Sequence, residues 1–76
     1  MNDKTPLYTI GDLILEFVDG LNLSSGIITG IYYDELDKEF VYSILWNDMP
    51  QETEIFESIV KWRIENDIFT YHAVVK

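Results

Sequence analysis

Seventy-six residues are enough for one domain with a thin core, since a chain of this size buries only about 60% of its unfolded surface. There is no cysteine and a single histidine, which excludes disulfides, thiolate metal sites and multi-histidine metal centres. Fourteen acids against five bases give a formal charge of −9, a field that repels phosphate backbones, disfavours general nucleic-acid binding and favours a basic partner.

A hydrophobic fraction of 47% is that of a folded chain rather than a disordered one. No apolar run approaches the roughly 18 residues of a membrane span. Met1-Asn2-Asp3-Lys4-Thr5-Pro6 lacks the charged-then-apolar pattern of a signal peptide, so no membrane association and a cytoplasmic setting are expected.

Residues 1–6 read as a short tail, and residues 7–76 as the folded domain. The first strand is expected within 7–18, where Leu13, Leu15 and Phe17 alternate with Ile14, Glu16 and Val18; the first set is expected to face the core. Asp19 to Ser25 reads as a polar loop. A second strand runs from Ile27 to Tyr33, with Gly30 marking a bulge or a close backbone approach. Asp34 to Glu39 forms a charged hairpin connection.

The third strand, Phe40 to Trp46, is apolar on both faces. Phe40, Tyr42, Ile44 and Trp46 point one way, and Val41, Ser43 and Leu45 the other. A strand with one wet face should alternate more cleanly. Either loops or another subunit must therefore cover its second face, and a twofold homodimer through Val41 and Leu45 is the expected cover. Asn47 to Glu52 is a turn closed by Pro50, and Thr53 to Phe56 a short fourth strand.

Glu57 to Asn66 fits helix or strand. Ile59 and Trp62 lie three apart and Val60 and Ile64 four apart, which favours one to two helical turns capped by Ser58. Phe69, Tyr71, Ala73 and Val75 alternate with Thr70, His72 and Val74 as a final strand. The fold class that follows is all-β: five antiparallel strands forming a small barrel, with a short helical turn before the last strand. Leu13, Leu15, Ile28, Ile44 and Val75 are expected in its core.

Gly11-Asp12-Leu13, Gly26-Ile27-Ile28-Thr29-Gly30-Ile31 and Tyr42 to Asp48 carry a resemblance, over about residues 10–75, to SH3-like barrels of the Tudor and KOW type. The Glu57-Ser58 and Trp62 stretch is similar in particular to small uncharacterised SH3-like proteins of marine phage and environmental origin. The resemblance implies a closed barrel, a phage origin and hence a host cytoplasm. It implies no catalytic residue.

No constellation carries an enzyme's chemistry. His72 stands alone, and the serines lie far from it in sequence. Asp34-Glu35-Leu36-Asp37-Lys38-Glu39 lacks the glycine of a calcium loop, and Gly26 and Gly30 lack the lysine and hydroxyl that complete a phosphate loop. No cofactor is expected. The aromatics are the binding candidates, since SH3-like and Tudor barrels grip proline-rich peptides or methylated side chains with such rings. Tyr33, Tyr42 and Trp46 are the candidate ligand residues; filling a small core is the competing use of the same side chains. Tyr32 and Tyr33 fall on opposite faces and cannot share one cage. The expected function is a non-enzymatic interaction module for a protein or peptide, basic in character. The alternatives are a KOW-like nucleic-acid-associated barrel and an acidic DNA mimic.

Overall fold

The computed structural model describes residues 5–74; the start of the expected tail and the expected core residue Val75 lie outside them. The elements run β1 (Leu13–Val18), β2 (Leu21–Asp34), β3 (Glu39–Trp46), β4 (Thr53–Phe56), α1 (Glu57–Glu65) and β5 (Phe69–His72). The strands form one antiparallel sheet in the order β4-β3-β2-β1-β5.

The sheet is open. Its two edges are β4 and β5, which pair with β3 and β1 respectively and not with each other, so the expected closed SH3-like barrel is not formed. Both edge strands are four residues long. Between them runs α1, nine residues and so about two and a half turns, which carries the chain from one edge to the other. The helix does the covering that a closed ladder would otherwise do: Val60 is fully buried and Ile64 packs beside it against the sheet.

The turn between β1 and β2 is tighter than the expected polar loop. Asp19 and Gly20 both have positive φ, 53° and 80°, and Val18 pairs directly with Leu21. An Asp-Gly pair with two positive φ values suits a two-residue hairpin turn whose twist matches the strands. The strand that follows therefore starts at Leu21, six residues before the expected Ile27, and absorbs an irregularity opposite Glu16 and Phe17.

The core lies between one face of this sheet and α1. Register fixes its membership. Ile14, Gly26 and Trp46 form one row across β1, β2 and β3; Ile28 and Ile44 form the next, and Ile31 and Tyr42 the next. Thr29 is the extra residue that shifts the register between Ile28 and Gly30. Ile14, Ile28, Tyr42 and Ile44 are fully buried, with Trp46, Phe69 and Tyr8 joining them. Ile28 and Ile44 are thus in the core as expected. Leu13 and Leu15 are not: they are only partly buried and share the opposite face with Ile27 and Ser25, while Ile14 takes the interior. Both sets of alternate residues on β1 are apolar, so alternation alone does not orient the strand. The contact with Gly26 and Trp46 does.

Gly26 is the glycine that the core requires. A Cβ there would lie 2.6 Å from Cγ2 of Ile44 and 2.8 Å from Cε3 of Trp46. The Trp46 ring occupies the space over Gly26, and its indole N–H donates to Thr53 Oγ1 at 2.8 Å.

The ends of α1 are held by residues distant in sequence and by local geometry. Ser58 is not the cap; the helix begins at Glu57 after Phe56, and the Ser58 N–H is accepted at 2.9 Å by the Glu39 carboxylate from the start of β3. At the other end the N–H groups of Asp67 and Ile68 donate to the carbonyls of Ile64 and Arg63, and Asp67 has φ 62°. This is a Schellman closure, which turns the chain sharply into β5.

Candidate interaction surface

The two faces of the sheet carry different chemistry. On the inner face the polar groups bind the chain to itself. Asp12, buried, accepts the Tyr71 hydroxyl, the Thr9 N–H at 3.0 Å and the Val74 N–H at 3.1 Å, tying the segment before β1 to the segment after β5. The Tyr42 hydroxyl donates to Glu57 at 2.6 Å and accepts the Tyr8 N–H, while Glu57 also accepts the Leu7 N–H. Burial, followed by the carboxylate partners, raises both phenols: Tyr71 is pushed up to about 12 and Tyr42 rises further. Tyr8 is raised by burial first and then by the Glu57 and Glu65 charges.

The outer face is open. Its central row is His72, Leu13, Ile27 and Leu45, opposite one another across β5, β1, β2 and β3. Ile27 and Leu45 are exposed, and with Met49, Pro50 and the edge of Trp46 they line a shallow groove of about 470 Å³ that ends at Ser25 and Asn47. The turn after β3 is fixed where it borders this groove: Asn47 Oδ1 accepts the Ser25 N–H at 3.0 Å, and Ser24 donates to Asp48 at 3.0 Å.

Carboxylates lie beyond the lining of the groove. Glu54 stands opposite Ser43 on the outer face and accepts the Tyr32 hydroxyl at 3.1 Å; Glu52 accepts the Thr29 hydroxyl. Both bonds leave β2 across β3, one for Glu54 in β4 and the other for Glu52 just before it. Tyr32 is raised above its usual value, first by that bond to Glu54. Among the described residues the lysines and arginine lie elsewhere, Lys38 in the turn between β2 and β3 and Lys61 and Arg63 on α1, so the outer face carries acids without lysine or arginine.

The residues expected to bind a ligand are distributed otherwise. Tyr42 is fully buried and Trp46 is 6% exposed; both are core residues. Tyr33 packs edge-on against Phe40, ring centroids 5.2 Å apart. The three do not form one surface. Val41, expected at a subunit interface, is 3% exposed and is covered within its own chain, where Tyr32 and Phe56 are its neighbours on either side. That removes half of the patch for which the twofold dimer was the expected cover. Leu45 alone of the pair is open. Sequence reasoning missed Ile27, Met49 and Pro50, because the groove arises from the register of Ile27 with Leu45 and the fold of the following turn.

A second cavity, about 210 Å³, opens on the inner side between Trp46, Met49, Ile55 and Arg63. Glu16 and Asp48 face it together with Arg63, whose guanidinium stacks 5.2 Å from the centre of the Phe69 ring. Its charges of both signs give it no preference for either. Among the described residues no group of three His, Asp or Glu side chains is placed to hold a metal ion, and no helix is long and apolar enough to cross a membrane.

Searches against protein-family models, curated proteins and solved structures return no match. The open sheet overturns the SH3-like assignment, and nothing in these comparisons supports a phage or marine origin.

Proposed function

We propose that the protein is a non-enzymatic interaction module whose outer sheet face binds a basic, apolar-studded segment of a partner protein. The observation that carries this reading is the groove of Ile27, Leu45, Met49 and Pro50 on a face that also carries Glu54 and, among the described residues, no lysine or arginine. Apolar side chains of the partner fill the groove, and its cations meet the carboxylates elsewhere on the face. An exposed apolar patch bordered by polar residues is the usual mark of a protein contact. The charge of −9 adds long-range steering of a basic partner. The absence of cysteine suits a reducing compartment such as the cytoplasm.

The test is a titration of isotope-labelled protein with two peptide pools, one built from lysine and leucine and the other with glutamate in place of lysine. The lysine pool should shift the amide resonances of Ser25, Ile27, Leu45 and Asn47, and the response should weaken as salt is raised. Equal responses to both pools, or shifts confined to the inner cavity around Arg63, would refute the reading.

A further inference from the structure

The inner cavity beside Arg63 is lined by charges of both signs that do not pair with one another. Two carboxylates reach it from the sheet side. Glu16 stands opposite Ser24 across β1 and β2, and the Ser24 hydroxyl donates to Asp48 at 3.0 Å, so both acids are gathered around one buried serine. One guanidinium reaches it from the helix side. Arg63 lies in the last turn of α1 and is held over Phe69, 5.2 Å from the ring centre, and Phe69 in turn packs against Trp46 with ring centroids 5.6 Å apart. Among the described residues no carboxylate forms an ion pair with Arg63, although Glu16 and Asp48 line the same cavity.

The rest of the wall is apolar or already satisfied. Trp46, Met49 and Ile55 supply the apolar part, and the Trp46 indole N–H is taken by Thr53 at 2.8 Å. An apolar cavity of about 150 Å³ admits benzene, so the 210 Å³ here has room for a molecule a few atoms larger. That molecule must suit one fixed cation and two acids at once. A simple anion is opposed by Glu16 and Asp48, and a simple cation by Arg63. A small molecule carrying both signs meets neither penalty when its ammonium turns to the acids and its carboxylate to the guanidinium.

We propose that this cavity binds a free α-amino acid with an aliphatic side chain of middle size. Arg63 takes its carboxylate, Glu16 and Asp48 take its ammonium, and its side chain lies against Trp46, Met49 and Ile55. Stacking on Phe69 restricts the guanidinium before any ligand arrives, so less freedom is lost when a carboxylate binds. The site is separate from the outer groove and stands or falls without it. A residue inside a peptide does not qualify, because its amide bonds remove both charges, and a terminal residue keeps only one. The chemistry recognised here is thus distinct from that of a partner segment on the outer face.

The experiment is a titration of isotope-labelled protein with L-leucine, leucinamide and 4-methylpentanoate at fixed ionic strength, slightly below neutral pH, where amine and carboxylate are both charged. The three share one side chain; the amide lacks the carboxylate and the acid lacks the ammonium. Leucine should shift the Trp46 indole and Ser24 amide resonances saturably at about millimolar concentration, the affinity open to so small a ligand. Each analogue should bind about tenfold more weakly, the worth of one charged hydrogen bond. Arg63→Gln should abolish the preference for leucine over leucinamide, and Arg63→Lys, which keeps the charge, should retain part of it. Glu16→Gln should narrow the preference for leucine over 4-methylpentanoate. Circular dichroism confirms the fold of each variant, and the comparison of analogues on the wild type needs no variant at all. A wild type without a saturable shift would overturn the proposal, as would leucinamide binding as tightly as leucine. So would a folded Arg63→Gln protein that still discriminates between them, or leucine shifts at Ile27 and Leu45 in place of the Trp46 indole.

Discussion

Ile44 and Leu45 are neighbours on β3 and nearly the same in size and polarity, yet Ile44 is fully buried and Leu45 is 43% exposed. The difference is one of cover. The inner face of the sheet has α1, Tyr8 and the Asp12 and Glu57 hydrogen bonds closed over it; the outer face has two tyrosine- and threonine-to-glutamate bonds lying across β3 and is otherwise open. Hydrophobicity along the chain is thus divided between a face that stabilises the fold and a face left largely uncovered. The largest expected effect tests that division directly. Ile44→Ala should cost about 2–5 kcal/mol, the range for deleting a buried aliphatic side chain. Leu45→Ala should stay within about 0.5 kcal/mol, as exposed positions do. Denaturant midpoints of the two variants measure both, and a comparable loss at Leu45 would show that the outer face is part of the core.

The same contrast holds between two glycines of β2. Gly26 points inward under the Trp46 ring, and a methyl there meets Ile44 and Trp46 at under 3 Å. Gly30 points outward, and a methyl there would find Ser43 at an ordinary 3.5 Å. Gly26→Ala should therefore destabilise by about 1–3 kcal/mol, as overpacking does. Gly30→Ala should change stability by no more than about 0.5 kcal/mol. Thermal unfolding of both variants would distinguish them, and a larger loss at Gly30 would mean that the adjacent bulge, not the indole, sets the requirement.

Much of the outer and inner pattern was legible from the residues, and its failures have physical causes. On β3 the alternation separated Tyr42, Ile44 and Trp46 from Val41, Ser43 and Leu45, but did not say which set the chain buries: Tyr42 and Trp46, read as ligand residues, are core, and Val41, read as an interface, is covered. On β1 Leu13, Leu15 and Phe17 outweigh Ile14 and Glu16 in bulk, yet Ile14 is the interior residue, since the register with Gly26 decides and register is not local. The helix was visible in the spacing of Val60 and Ile64. Its cap was not, because Glu39 lies 19 residues from Ser58. Asp19-Gly20 did carry a hairpin signal, and reading it as part of a longer loop displaced the start of β2. Closure of the sheet had no local signal: whether β4 meets β5 depends on where α1 crosses. The groove was half visible through Leu45, and its remaining residues follow from cross-strand pairing.

The tyrosines distinguish the faces by pH. On the inner side Tyr71 is raised from 10.0 to about 12 by burial and by its bond to the Asp12 carboxylate. A phenol whose folded pKa lies above its unfolded one keeps more protons in the folded state, so stability falls as pH rises. The contribution is complete below pH 10 and is lost between about pH 10 and 12. Tyr42, raised in the same direction, adds to the loss in the alkaline range. Tyr71→Phe should cost about 1–2 kcal/mol at neutral pH, the scale of one hydrogen bond to a carboxylate. It should also make the alkaline decline shallower. Unfolding free energies at successive pH values would show both, and an unchanged alkaline slope would remove Tyr71 from the account.

Tyr32 is the outer-face counterpart and should show the smallest effect. Its hydroxyl also donates to a glutamate, at 3.1 Å against 2.6 Å for Tyr42 to Glu57, but it does so in solvent. Water can replace either partner, so the bond exchanges one hydrated arrangement for another and contributes little to folding. The ring has the larger role, since it crosses β3 from its place opposite Val41 toward Glu54 and shields Val41. Tyr32→Phe keeps that ring and should leave stability essentially unchanged. It also frees the Glu54 carboxylate on the outer face. The same variant should therefore bind the lysine-leucine peptides at least as tightly as the wild type while its unfolding midpoint stays in place. A loss of stability as large as that of Tyr71→Phe would show that the outer bridge over β3 holds the fold together and is not available to a partner.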